Sequence, residues 1–190
     1  MKSVKNLCEN FESIFPRREK LIKSDNIDLF EHPIVKIWYN YFLNFWKSSK
    51  PFALLLPCTS VKPYSLSATH KLAYSILRKH NIENVIQVYS VSEPMLLVPK
   101  ELEECYPFNS YEYPPKLMTE KEREKFILLL TIPLKKLEEM HTRIVAVLPK
   151  HHYNIVNKAS QIAKVKVILI PYGRLAFQSI SKAILSFLKD

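Results

Sequence analysis

The sequence predicts a single α/β domain built on a mostly parallel sheet of four strands. From residue 52 onward, short apolar runs of strand length alternate with stretches of helical periodicity, the rhythm of β-α units on a parallel sheet. The composition agrees, since 47% of the 190 residues are hydrophobic and 24% charged, enough apolar surface to offset the entropy of ordering one compact domain. A third observation orients the sheet. Three of the apolar runs end in Pro, at Pro57, Pro149 and Pro171, and in a parallel sheet these ends share the edge where open α/β folds bind ligands.

Taken in order, residues 1–50 are expected to form a basic arm and an amphipathic helix packed on the core, and residues 51–190 the α/β core. In the arm, Phe11, Ile14 and Phe15 precede Pro16-Arg17-Arg18-Glu19-Lys20, a pattern that suits either a docking segment or a basic tether. After Pro33, the residues Ile34, Ile37, Trp38, Tyr41, Phe42 and Phe45 recur at helical spacing as a one-sided apolar stripe. Strands are predicted at 52–56, 85–89, 144–148 and 165–170 from their continuous apolar runs. Helices are predicted at 68–80, at 120–141 with a break at Pro133, at 153–163 and at 175–188.

Charge and motif content narrow the function. The net charge is +10, distributed as +3 over residues 1–50, −1 over 51–115, +3 over 116–150 and +5 over 151–190. A cationic body around a neutral centre suits a nucleic acid held at the periphery while chemistry occurs in the middle. The single Gly, Gly173, excludes G-x-G-x-x-G and Walker loops, so no nucleotide cofactor is expected. Cys8, Cys58 and Cys105 are odd in number and widely spaced, indicating neither a disulfide framework nor a metal site, and Cys8 and Cys105 read as buried inert thiols. No apolar run reaches membrane-span length, and the segment Met1-Lys2-Ser3-Val4-Lys5-Asn6 leads into no signal-type stretch, so a cytoplasmic protein is expected.

Chemistry concentrates in residues 57–70, a polar loop between a buried strand and a helix. A thiol near an ammonium and an imidazole has the surroundings that lower its pKa and arm it for nucleophilic attack. Ser67 is placed either as a site residue or as the N-cap of the helix carrying His70. The spacing Pro-Cys-x3-Lys-Pro-Tyr-x2-Ser-x2-His, filled by Pro57, Cys58, Lys62, Pro63, Tyr64, Ser67 and His70, resembles the signature of archaeosine synthase, an archaeal tRNA-modifying relative of tRNA-guanine transglycosylase. A second block follows in the family's order: Ser92-Glu93-Pro94, Val98 to Glu103, Tyr106-Pro107 and Tyr111-Glu112-Tyr113-Pro114. Leu96 and Leu97 stand in a stretch where the family usually has Gly, and Glu112 replaces an Asp.

The resemblance implies a three-layer α/β/α sandwich of the uracil-DNA-glycosylase type. It also implies an archaeal source and addition of lysine to the nitrile of 7-cyano-7-deazaguanine in tRNA, a radical-SAM partner completing the conversion. On that reading Cys58 meets the nitrile, Lys62 or His70 supplies charge or a proton, and Pro57, Tyr64 and Ser67 contact the substrate. The carboxylates Glu93, Glu101, Glu103 and Glu112 then suit the donor's ammonium. His151 and His152 read as surface or helix-capping residues. With no room in 190 residues for the family's tRNA-binding module, a separate tRNA-binding subunit is expected, and the alternative is a non-catalytic tRNA-binding or assembly subunit.

Overall fold

The computed structural model describes residues 4–188, with side chains from residue 7 onward; Met1, Lys2 and Ser3 of the amino-terminal segment lie outside the described residues. Two sheets are present among the described residues. The larger has five strands: β2 (Phe52–Pro57), β3 (Ile86–Ser92), β4 (Leu96–Pro99), β6 (Arg143–Pro149) and β7 (Ile168–Tyr172), in the order β4-β3-β2-β6-β7. The four expected strands are there and pair in parallel, while β4 runs antiparallel to β3 at one edge. The expected count of four is therefore corrected to five. Leu96 to Pro99 are too short a run, too close behind Ser92-Glu93-Pro94, to show a strand period of their own. The smaller sheet pairs β1 (Leu21–Ile22) with β5 (Tyr111–Glu112).

Helices cover both faces of the larger sheet. On one, Ala73, Tyr74 and Leu77 of α3 (Ala68–Lys79) and Ile180, Ala183 and Ile184 of α6 (Ala176–Leu185) pack on Leu54, Leu56, Val88, Val145 and Val147. On the other, α1 (Val4–Glu12), α2 (Pro33–Asn44), α4 (Glu120–Met140) and α5 (Lys150–Ala163) pack around Ala53, Leu55, Tyr89, Ile144, Ala146 and Leu148. Consecutive strand residues thus feed opposite cores, which is why the runs read as continuously apolar.

Several local expectations change. The arm is a docking segment: Phe11 stacks on Phe108 and meets Trp38 edge-on, and Cys8 is disulfide-bonded to Cys105 across 97 residues. The two cysteines expected to be inert thiols are therefore a staple, formed by a contact between distant segments that sequence spacing does not encode. Phe45 falls just past the end of α2 and is exposed, so the stripe ends at Phe42. No break occurs at Pro133, because α4 is continuous through it. Proline there deprives the Leu129 carbonyl of its helical donor, and the Tyr39 hydroxyl donates to that carbonyl instead, at 3.2 Å. Among the described residues no helix is long and apolar enough to cross a membrane.

Candidate functional site

Because β2, β3 and β6 are parallel, their carboxyl ends meet at one edge, and each delivers a polar residue there. Cys58 follows β2, its backbone N–H donating to the Val91 carbonyl at 2.8 Å, which extends the β2–β3 ladder by one residue. Glu93 follows β3. His151 and His152 occupy the first turn of α5, directly after β6. The Cys58 thiol lies 3.4 Å from Glu93 Oε2 and 3.8 Å from His152 Nε2, and His152 Nε2 is 3.1 Å from the same Oε2. His151 Nε2 holds the other carboxylate oxygen at 2.5 Å. The Nδ1 of His152 is buried and makes no hydrogen bond among the described residues.

Cys58, Glu93 and His152 line a cavity of about 440 Å³ together with Lys62, Tyr111 and Glu112, while His151 supports Glu93 from outside that lining. Lys62 is held over it by its own loop, donating to the Thr59 carbonyl at 3.2 Å and lying 4.1 Å above the centre of the Tyr111 ring, a cation–π contact. Burial pushes the Lys62 ammonium below its ordinary pKa. Burial raises the Glu93 carboxyl, but the charge of His152 and hydrogen bonds from both imidazoles outweigh it and hold the group well below the usual carboxylate range. Burial and then the Glu93 carboxylate push the Cys58 thiol well above its ordinary value, against the pull of Lys62. Glu112 is lowered by its exposed pairing with Lys20.

The other expected site residues are placed around this cavity rather than in it. Pro57 ends β2 within the sheet. Tyr64 is buried, its hydroxyl meeting those of Ser92 and Tyr111 in a three-oxygen cluster behind the wall of the cavity. Ser67 is the N-cap of α3, accepting from the His70 backbone N–H. His70 is fully buried: its Nδ1 lies 2.9 Å from Ser67 Oγ and its Nε2 3.0 Å from Ser90 Oγ, and burial lowers its pKa to about 4. It is not among the residues lining the cavity. Glu101 pairs with Lys50 and Gln87, and Glu103 accepts from the Tyr74 hydroxyl at 3.0 Å, so neither faces the thiol. His151 and His152, expected to be surface or capping residues, are site residues. The signal for them was the second Pro-ended strand, ending at Pro149, whose end falls on the same edge as Cys58.

Residues 35–185 match the family described as a domain of unknown function, DUF5591. The chain belongs to that family. A relative, archaeosine synthase subunit alpha of Thermoplasma acidophilum, is 36% identical over 107 residues, which is 56% of this chain and 21% of that protein. The chain thus spans about a fifth of the length of the curated relative it matches. Its fold resembles that in a crystal structure of AF0587, a protein of unknown function, with a TM-score of 0.57 and 20% identity over 80% of this chain and 50% of the other. That second likeness is one of fold alone.

Proposed function

We propose that this DUF5591 domain carries the amine-adding centre of archaeosine formation, joining lysine to the nitrile of 7-cyano-7-deazaguanine in tRNA. One observation carries the reading. The two sequence blocks that resemble archaeosine synthases both contribute to one cavity, Cys58 and Lys62 from the first and Glu93, Tyr111 and Glu112 from the second. The likeness to archaeosine synthase subunit alpha supports it.

In this reading the base enters the cavity with its nitrile toward Cys58 and Lys62. The donor nitrogen bonds to the nitrile carbon, and a π pair of the C≡N bond moves to the nitrile nitrogen, which takes a proton from Lys62. The donor nitrogen releases a proton to Glu112, so an amidine forms with no leaving group. A lysine ammonium poised over the developing charge is worth most in a cavity shielded from water. Tyr64, Ser67 and His70 act as positioning residues: the hydroxyl cluster and the Ser67–His70–Ser90 chain fix the loop that aims Lys62. In this reading a separate tRNA-binding subunit supplies further tRNA contacts, and a radical-SAM partner completes the conversion.

Incubating the protein with tRNA bearing the cyano base and lysine, followed by mass analysis of the nucleosides, tests this. A gain of one lysine is expected, with the rate reduced roughly 10²–10⁴-fold in Lys62→Met, the scale of losing a positioned proton donor. Cys58→Ala is expected to lose the gain as well. Wild-type protein that binds the tRNA yet adds nothing would replace the reading with a tRNA-binding or assembly subunit.

A further inference from the structure

The three strand ends bring together a thiol, a carboxylate and an imidazole, the ligand types of zinc sites. The Sγ of Cys58, Oε2 of Glu93 and Nε2 of His152 all lie within 4.8 Å of one another. Their separations of 3.4, 3.8 and 3.1 Å describe a triangle close to one face of a zinc tetrahedron, in which bonds of ~2.0–2.3 Å place ligand atoms roughly 3.3–3.6 Å apart. All three residues line the cavity, so a ligand held in it lies beside the triangle.

The surroundings fit as well. The Glu93 side chain is fully buried and is steadied from the far side by His151, whose Nε2 engages the carboxylate oxygen not shared with Cys58 and His152, the outer-shell support typical of metal-bound carboxylates. The hydrogen-bond pattern does not suit a proton relay. His152 presents a single nitrogen, Nε2, to both Glu93 and Cys58, whereas in a nucleophile–imidazole–carboxylate relay the two partners use opposite nitrogens of the ring. Three ligand atoms gathered this closely is the arrangement that ligation of one ion requires. The spacing rules that find zinc sites by eye could not register it, because the residues are 35, 59 and 94 apart in sequence.

We propose that Cys58, Glu93 and His152 bind one zinc ion, with its fourth position open to the cavity. The inference rests on the same cavity as the functional reading and deepens it, since an open zinc position would bind and polarise a nitrile nitrogen. Metal content is measured without tRNA, so the two can fail separately.

The test uses untagged full-length protein dialysed against zinc and then against metal-free buffer, with bound metal measured by mass spectrometry. About one zinc per chain is expected in wild type and in Cys8→Ser, and less than a tenth of that in Cys58→Ser and in His152→Gln. Replacing zinc by cobalt is expected to give a thiolate-to-cobalt charge-transfer band that Cys58→Ser lacks, and thermal melts of the variants verify folding. Wild-type protein retaining no more zinc than the Cys58→Ser variant would overturn the inference. A zinc-loaded protein that adds no lysine would uphold the metal site and count against the functional reading.

Discussion

Tyr74 stands between two buried titratable side chains whose effects on stability oppose one another. Its ring packs edge-on against His70, and its hydroxyl donates to Glu103. Burial lowers His70 from 6.5 to about 4, so between those values the unfolded chain takes up a proton that the folded chain refuses, and stability is lost as pH falls. Burial raises Glu103 from 4.5 to about 7, with the Tyr74 hydrogen bond and Lys100 pulling partly back, so the folded chain keeps a proton the unfolded chain gives up, and stability is lost as pH rises through that window. Each effect is of the order of 3 kcal/mol at most. Over the overlap from 4.5 to 6.5 the two slopes cancel. Urea denaturation at a series of pH values is expected to show this directly: Glu103→Gln leaves the His70 slope alone, and stability then climbs by about 2–3 kcal/mol from pH 4.5 to 6.5 relative to wild type. Parallel pH profiles for the two proteins would contradict it.

The arm is tied to the core by one buried ion pair between elements. Lys23, just beyond β1, reaches Glu122 in the first turn of α4 at 2.7 Å, both side chains almost wholly shielded, and also donates to the Ile27 carbonyl. Glu122 has a second task, closing the capping box with Thr119. Lys23→Met strands the carboxylate in the interior and is expected to cost about 3 kcal/mol. Adding Glu122→Gln removes the charge while keeping an acceptor for the cap, and should restore most of that loss. Urea midpoints of the single and double variants check it. Elements of this kind divide by how local their cause is. Strands β2, β3, β6 and β7 and helices α2, α3, α5 and α6 are legible because each carries its own apolar run or period. The Pro133 break was misread because the donor that rescues the Leu129 carbonyl sits on α2, and β4 was missed because its partner strand defines it. Within the site, Cys58 and Lys62 were legible from one loop, whereas the part played by His152 depends on which strands are neighbours, and that only the folded sheet decides.

For the molecule as a whole, the longest covalent constraint is the Cys8–Cys105 bond, which joins α1 to the segment after β4. A closure of this span restricts the unfolded chain strongly, and Cys8→Ser is expected to lower stability by about 2–4 kcal/mol under non-reducing conditions. Reductant should bring wild type down to the same level and leave the variant unmoved; a wild-type melt insensitive to reductant would disprove the role. The joining of Cys58, Glu93 and His152 from three strands carries a different consequence, for the timing of folding. No stretch of chain shorter than the span from residue 58 to residue 152 contains all three, so the site cannot be assembled locally and later docked. It comes into being only when the central strands have paired in register, a late step for contacts so distant along the chain. A fragment ending before residue 152, however well its first helices form, holds a lone thiol and a lone carboxylate with nothing to complete them.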